Sequence, residues 1–326
     1  MSCPDNPLPG ETEISARSHA DSALLHDLTH WREQLARSIA RNNLGIRSEQ
    51  LATAVNRIIL SLMFLRIAED RGMINEGTLR DTRDSFTIDQ TLPKLLRYTR
   101  TLYADDPYES YEASENLSDL VLEDHVINAI ISALISADRR YDLASMSTEI
   151  ISQVFSRYLT RTIIRSASDQ AAIVDTHDTM LSGGTIVPPL PAIEYLVKSS
   201  LAAARKNRSA GEVLPLRVLD PACGAGEILL SVYRHILKNN GSGALTFEER
   251  REILAGSIHG LDINRHAVAV TRMLLFFRLA ENRPAGQTPG DLFTLSEEVF
   301  QDLRHTIRFG NALIGPEIIR DESWMF

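Results

Sequence analysis

Cysteine is scarce in this sequence, since its 326 residues contain two, Cys3 and Cys223. Two cysteines exclude a disulfide framework and a cysteine-based metal cluster. No uninterrupted apolar run reaches the roughly 18 residues of a membrane span. The polar, proline-containing start, Met1 to Gly10, does not resemble a signal peptide. We therefore expect a protein of the cell interior, in the cytoplasm.

The sequence also has no excess of basic residues, since the formal net charge is −9 at pH 7. A surface that binds nucleic acid over its whole extent is usually basic, so this balance leaves room only for a local basic face or a DNA-reading partner. The chain has no Walker loop, no histidine and cysteine set with metal-ligand spacing and no nuclease core of the Asp…Glu-x-Lys type. Apolar content of 44% and charged content of 24% describe a soluble globular chain of about two domains.

A glycine turn between a strand and a helix is the most informative local pattern. The apolar run at 216–219 predicts a buried parallel strand, which Asp220 and the proline after it end. Gly224 and Gly226 allow a tight turn and a close approach to a ligand, and a helix is predicted from Glu227 onward. Strand, turn and helix N-terminus in this order form a nucleotide-type binding loop. A glycine turn without a ligand is the alternative.

The sequence Asp-Pro-Ala-Cys-Gly-Ala-Gly at 220–226 resembles motif I of the amino-methyltransferases that act on DNA and bind S-adenosylmethionine (SAM). The dinucleotide fingerprint G-x-G-x-x-G is not met, since position 229 is leucine. The resemblance implies that SAM is the cofactor. It further implies that this loop contacts SAM through Asp220, Pro221, Ala222, Cys223, Gly224 and Gly226.

Two further predicted strands end in residues that resemble the same family. The second strand ends at Asp262 and Ile263, the place of motif II, whose carboxylate accepts hydrogen bonds from ribose hydroxyls. The third is followed by Gly-Asn-Ala-Leu at 310–313, which resembles motif III. There the resemblance implies that Asn311 bonds the adenine of SAM and that Ala312 packs on its ring. A helix cap at Asp262 and a simple turn at Asn311 are the alternatives.

A proline-rich segment and the helix after it resemble motif X, which closes over the methionine end of SAM. The family's Tyr-Thr pair is replaced by Val187 and Pro188, or by Ile186 and Val187 if one residue is inserted. A hydroxyl is thereby lost, so contacts with SAM would be apolar or made by the backbone. A proline-rich start of a helix with no cofactor role is the alternative. The helix is predicted to bury one face, formed by Ile193, Leu196 and Val197.

Composition and periodicity divide the chain into four parts. We predict a flexible arm at 1–20, a helical N-terminal domain at 21–165, a linker at 166–185 and a partial SAM-binding methyltransferase domain at 186–326. The segments 56–72 and 142–159 are similar to the helical N-terminal domain of large restriction–modification methyltransferases. The predicted fold class is α/β, with a helical N-terminal domain followed by the first half of a doubly wound Rossmann-like SAM-dependent methyltransferase domain.

The family's catalytic motif is missing from these residues. Methylation of adenine at N6 requires a base that has left the duplex, stacks on an aromatic ring and is held by its exocyclic amine. The family does this with motif IV, Asn/Asp-Pro-Pro-Tyr/Phe/Trp, and the runs at 5–8 and 188–189, which match it in part, lack essential members. We therefore expect no catalytic residue here. The strand at 216–220, central in the family's sheet, would keep an apolar open edge.

We expect a second protein chain, or the rest of the same polypeptide, to supply motif IV and a DNA-recognition domain. Double-stranded DNA would then be bound through the complex. The implied function is that of the SAM-binding half of a site-specific DNA adenine-N6 methyltransferase of a restriction–modification system. The alternative is a non-catalytic SAM-binding assembly or DNA-clamping subunit of a phage-defence complex. A methyltransferase of small molecules or proteins is disfavoured, because 220–226 and the helical segments resemble the DNA enzymes.

Overall fold

A computed structural model describes residues 11–85, 96, 102–103, 120–165, 170–175, 187–206, 216–239, 245–281 and 291–313. Residues 1–10 of the predicted arm, 176–185 of the predicted linker, and Ile186 lie outside the described residues. So do residues 314–326 of the predicted methyltransferase domain.

The first half of the chain is mainly helical. Its helices are α1 (Glu11–Asn42), α2 (Ser48–Asp70), α3 (Thr78–Ser85), α4 (Asp124–Ile135) and α5 (Thr148–Leu159). The first helix begins at Glu11, before the predicted Asp21, so the described part of the predicted arm is helical. The second ends at Asp70, because Arg71 caps it and Gly72 takes φ +64°. This helix is long and apolar enough to cross a membrane, but 83% of its apolar window is buried inside the protein, as in a core helix.

A β-hairpin follows α5 where the sequence predicts the end of a helix and a linker. Strand β1 (Arg161–Arg165) pairs antiparallel with β2 (Ala171–Asp175), and Ile163 lies opposite Ile173. The linker prediction is therefore corrected at 171–175. The two strands hydrogen-bond to each other, and Ile163 is buried while its neighbours are more exposed. A pairing between two short segments of this kind leaves little signal in either segment alone.

A parallel sheet and its helices make up the second half. Their order is α6 (Leu190–Lys206), β3 (Val218–Asp220), α7 (Glu227–Asn239), α8 (Phe247–Ser257), β4 (Ile258–Asp262), α9 (Arg265–Ala280), α10 (Asp291–Thr306) and β5 (Ile307–Phe309). The strands lie in the order β3-β4-β5, and both pairings are parallel. The predicted α/β class, a helical first part followed by a parallel sheet with helices, is thereby confirmed. Among the described residues β3 lies at the edge of this sheet, and its Leu219 is 66% exposed.

A cluster of phenylalanines joins the two halves. Phe64 of α2 lies 5.3 Å, between ring centroids, from Phe277 of α9, and Phe276 lies 5.1 Å from Phe300 of α10. Rings at these distances contribute beyond the apolar area that they bury. Nearby, the buried Arg272 of α9 donates to the carbonyl of Ile307 at the start of β5. The helical half and the sheet therefore share one core.

Gly260 in β4 marks the closest approach between the sheet and α7. A Cβ added there would lie 2.7 Å from Leu229 Cδ1 and 3.1 Å from Cys223 Sγ. A strand glycine commonly marks such a close approach. The absence of a side chain at this position therefore fixes how closely the motif I loop and its helix pack on the central strand.

We predict that Gly260→Ala lowers the free energy of unfolding by about 1–3 kcal/mol, the usual cost of overpacking. Gly256→Ala is the matched control, because Gly256 lies in α8 and a Cβ there meets nothing within 4 Å. The control is expected to leave stability unchanged or to raise it slightly, since alanine favours the helix. Urea denaturation of both variants tests this. Equal stability of the Gly260→Ala variant and the unsubstituted chain would contradict the packing account.

Candidate cofactor-binding site

The carboxyl ends of the three parallel strands bring the predicted motifs together. Cys223 N–H donates to the carbonyl of Leu261 at 3.0 Å, and Gly224 N–H donates to Asp262 Oδ2 at 2.8 Å. On the other side, Gly310 N–H donates to the carbonyl of Asp262 at 2.9 Å. Loops at the carboxyl ends of parallel strands form the usual ligand crevice of open α/β sheets. The three loops expected to hold SAM are thus hydrogen-bonded into one group.

Glycine is needed at the two motif I positions for different structural reasons. Both have positive φ, +55° at Gly224 and +92° at Gly226, which favours glycine. A Cβ at Gly226 would lie 2.9 Å from Thr271 Cγ2 of α9, whereas one at Gly224 would meet only Glu227 Oε2, at 3.7 Å. Thr271 Oγ1 also donates to the carbonyl of Gly224 at 2.9 Å. Gly226 therefore lets the loop pack on α9, which the sequence does not reveal.

Asp262 is the most connected side chain of the site. Its Oδ1 accepts from Asn264 N–H at 2.8 Å, and its Oδ2 accepts from Gly224 N–H. The alternative role, a cap for the following helix, falls to Asn264, whose Oδ1 accepts from the N–H groups of His266 and Ala267. A carboxylate offers about four acceptor positions, so two backbone contacts leave acceptor capacity for a ligand's hydroxyl groups.

Asp220 and Cys223 are placed differently by the fold. Burial raises the pKa of Asp220, and the nearby charge of Asp262 adds to this, while a hydrogen bond from Ala222 N–H at 3.1 Å opposes it. Pro221 and Ala222 are exposed. The Cys223 side chain is buried, and burial followed by the charges of Asp262 and Asp220 raises the pKa of its thiol. Cys223 therefore belongs to the core and takes part in the site through its backbone.

Apolar side chains surround the motif II and motif III positions. Ile263 is 60% exposed and Leu313 is 94% exposed, and Ala312 is also exposed. Asn311 Oδ1 accepts from Leu313 N–H at 2.9 Å, so the turn predicted as the alternative is formed. That turn uses the amide oxygen and not the amide nitrogen. The exposed apolar side chains are therefore open to a flat apolar group of a ligand, and the amide nitrogen of Asn311 can donate to a hydrogen-bond acceptor of that ligand.

The motif X segment is anchored through its backbone. Val187 is half-buried and Pro188 is exposed, and the carbonyl of Pro188 accepts from Gln153 Nε2 at 2.8 Å. The prediction for α6 is wrong at Leu196, which is 50% exposed. The helix instead buries Ile193, Val197 and Leu201, a face with spacing i, i+4 and i+8.

Sequence reasoning missed a polar layer behind the site. Glu227, the first residue of α7, is buried and bonds Ser156 Oγ of α5. Burial raises the pKa of Glu227, although the Ser156 hydroxyl opposes the shift. Ser152 Oγ of α5 donates to the carbonyl of Ala225 at 2.8 Å. The available signal was the 3–4 spacing of polar residues along α5, a helix singled out from the sequence only for its family resemblance.

Glu227 makes stability depend on pH. Its carboxyl has a raised pKa in the folded protein, so folding favours the protonated form and loses stability as pH rises above the ordinary value of about 4.3 and through the raised pKa. Glu227→Gln removes this loss. We expect its midpoint of thermal unfolding to match that of the unsubstituted chain near pH 4 and to exceed it at neutral and higher pH.

Glu252→Gln is the control, because Glu252 is exposed on α8. The change that Glu252→Gln causes in the midpoint of thermal unfolding should be the same at every pH in this range. A Glu227→Gln effect that is the same at pH 4 and at pH 8 would show that the carboxyl has no raised pKa.

Comparisons with known proteins agree with the motifs. Residues 199–307, which contain β3, β4 and their loops, match the N-6 DNA methylase family. The chain is 23% identical over 317 residues to the type II restriction enzyme and methyltransferase RM.Eco57I of Escherichia coli, covering 91% of this chain and 31% of that protein. It is 34% identical over 62 residues to the adenine-specific methyltransferase PglX of Streptomyces coelicolor, covering 18% of this chain and 5% of that protein.

A solved structure of the type IIL restriction–modification enzyme MmeI in complex with DNA also resembles the chain. The TM-score is 0.40 at 13% sequence identity, over 88% of this chain and 38% of that one. The chain thus spans about a third of the length of RM.Eco57I, the curated relative that it matches over most of its own residues. Residues 199–307 thus match the N-6 DNA methylase family, and the chain is similar over most of its length to a restriction enzyme and methyltransferase.

Proposed function

We propose that this chain is the SAM-binding part of a site-specific DNA adenine-N6 methyltransferase of a restriction–modification system. The observation that carries the proposal is the junction at Asp262, which hydrogen-bonds the motif I and motif III loops to the end of the central strand. These loops hold the residues that the family uses for SAM. We further propose that the protein acts in the cytoplasm.

The residues present fit SAM chemically. The remaining acceptor capacity of Asp262 suits the ribose hydroxyls, and the Asn311 amide with Ile263 and Ala312 suits the adenine ring. Burial raises the pKa of Asp220 and the charge of Asp262 adds to this, and a positively charged ligand would offset the repulsion between the two carboxylates. Bound SAM would supply an activated methyl group on a sulfonium. The chain's own residues would bind and orient it.

Methyl transfer itself requires more than SAM binding, and we propose that the groups for it lie outside these 326 residues. The target adenine has to leave the duplex and be held by its exocyclic amine, the task of motif IV in the family. We propose that a companion chain, or the remainder of a longer polypeptide, carries motif IV and the DNA-recognition domain. The alignment with 31% of RM.Eco57I is compatible with either arrangement.

A second candidate is a non-catalytic subunit that binds SAM and assembles or clamps DNA in a phage-defence complex. It is favoured by the lack of motif IV in the sequence. The two candidates differ in one respect, which is whether methyl transfer occurs once every companion is present.

We predict that Asp262→Ala and Asp262→Asn weaken SAM binding by about 1–3 kcal/mol, because both remove the charged acceptor. Isothermal titration calorimetry with SAM measures the change, and thermal unfolding shows whether the variants remain folded. Glu298→Ala is the control, since Glu298 is an exposed residue of α10 that pairs with Arg251. Unchanged affinity in folded Asp262 variants would remove this residue from the site.

The complete activity is tested by purifying the protein from its native host and identifying what accompanies it by mass spectrometry. We expect a stoichiometric companion, or a longer polypeptide, that contains Asn-Pro-Pro-aromatic. This preparation should transfer a methyl group from SAM to adenine N6 in double-stranded DNA. A complete complex that binds SAM and never methylates DNA would establish the non-catalytic subunit.

A further inference from the structure

One face of α5 is polar and yet buried. Glu149, Ser152, Gln153 and Ser156 follow the spacing i, i+3, i+4 and i+7, which places them on one side of the helix. Glu149 is 5% exposed, Ser152 is 0% exposed and Gln153 is 7% exposed. Buried polar groups are costly unless they are hydrogen-bonded, so the partners of this face decide how the helix docks.

The partners of this polar face are the segments that form the candidate site. Ser152 Oγ donates to the carbonyl of Ala225, inside the motif I loop, at 2.8 Å. Gln153 Nε2 donates to the carbonyl of Pro188, in the motif X segment, at 2.8 Å. Ser156 bonds Glu227 at the start of α7. Two of these contacts are made to backbone carbonyls of the candidate site's loops, and the third is made to the residue that follows the motif I loop. The three residues of α5 are not themselves among the predicted SAM contacts.

Glu149 extends the same face to the helices that follow these segments. Its Oε1 lies 2.9 Å from Arg234 Nε of α7 and 3.2 Å from Arg278 Nη2 of α9. Arg234 also pairs with Glu194 of α6, which lies 2.9 Å from His235 Nε2. Burial acts to raise the pKa of Glu194, but hydrogen bonds from Ser231 and His235 together with the charge of Arg234 lower it overall, so this carboxylate stays charged. The helix that follows motif X is thus tied to α7, and through Arg234 to α5.

We propose that this face of α5 is a positioning platform that sets the distance between the motif X segment and the motif I loop. Ser152 and Gln153 are neighbours in the chain, so their Cα atoms are about 3.8 Å apart. Ser152 holds a carbonyl that lies 73 residues away in sequence, and Gln153 holds one that lies 35 residues away. Two loops held by neighbouring residues of one helix cannot move apart freely.

Gln153 and Ser152 are therefore positioning residues for the cofactor. A site held in place before binding spends less free energy on ordering its loops when the ligand arrives. This inference rests on the proposed function, since it concerns the affinity for SAM. It adds that the helical half of the chain, through α5, governs that affinity.

The test compares Gln153→Leu, which removes the amide and leaves an apolar side chain one atom shorter, with the unsubstituted full chain. The control is Arg157→Leu, because Arg157 is exposed on the same helix. Calorimetry measures the Kd for SAM and for 5′-methylthioadenosine, which lacks the amino-acid end, and thermal unfolding is recorded for every variant. We expect Gln153→Leu to weaken SAM binding about tenfold and 5′-methylthioadenosine binding much less, because motif X covers the methionine end.

Ser152→Ala is the second variant, which deletes one oxygen and should remain folded. It should weaken both ligands to a similar extent, because the motif I loop serves the whole cofactor. SAM affinities within twofold of the unsubstituted chain in folded Gln153→Leu and Ser152→Ala would overturn the inference while leaving the proposed function intact. Equal weakening of both ligands by Gln153→Leu, with a lowered unfolding temperature, would overturn it as well. Failure of the unsubstituted chain to bind SAM would overturn the proposed function itself.

Discussion

Asp262 accepts hydrogen bonds from backbone N–H groups of both neighbouring loops. Its carboxylate accepts from Gly224, and its backbone carbonyl accepts from Gly310. It can do so because β4 is the middle strand of the described sheet and all three strands end at one edge. Parallel pairing brings loops that are distant in sequence within hydrogen-bonding distance of the last residue of the central strand. The arrangement of the candidate site follows from this one strand end, and the residues expected to hold a cofactor are arranged around it.

A second constraint lies behind the site. Burying the charged groups of Glu149, Arg234 and Arg278 is costly unless they pair, and pairing requires α5, α7 and α9 to dock in one orientation. Buried ion pairs of this kind therefore restrict how these helices can dock. The phenylalanine cluster around Phe64 and Phe277 adds apolar burial where α2 packs on the same helix α9. The helical half of the chain therefore helps to hold the loops of the candidate site in place.

Much of the fold could be predicted from local patterns. The amphipathic helix at Arg265–Ala280 follows the apolar periodicity of the sequence, and the strand at Val218–Asp220 lies at the end of the apolar run at 216–219, although its Leu219 is exposed and not buried as predicted. Helical periodicity and turn chemistry act over a few residues, so they survive without knowledge of the tertiary structure. The hairpin at 161–175 was missed because each of its strands is defined mainly by the other. The start of α1 at Glu11 was also missed, in a stretch that is polar and has no apolar stripe.

The sequence by itself determined the identity of the loops, since Asp-Pro-Ala-Cys-Gly-Ala-Gly at 220–226 and the residues at 262 and 311 carry the family resemblance. Only the tertiary structure decided what these residues touch. It placed Thr271 against Gly226, put the Cys223 thiol in the core and turned Leu196 outward. It also revealed that the polar face of α5 supports the site. A local pattern states which face of an element is polar or apolar, but the group opposite that face comes from a distant part of the chain, so packing alone selects it.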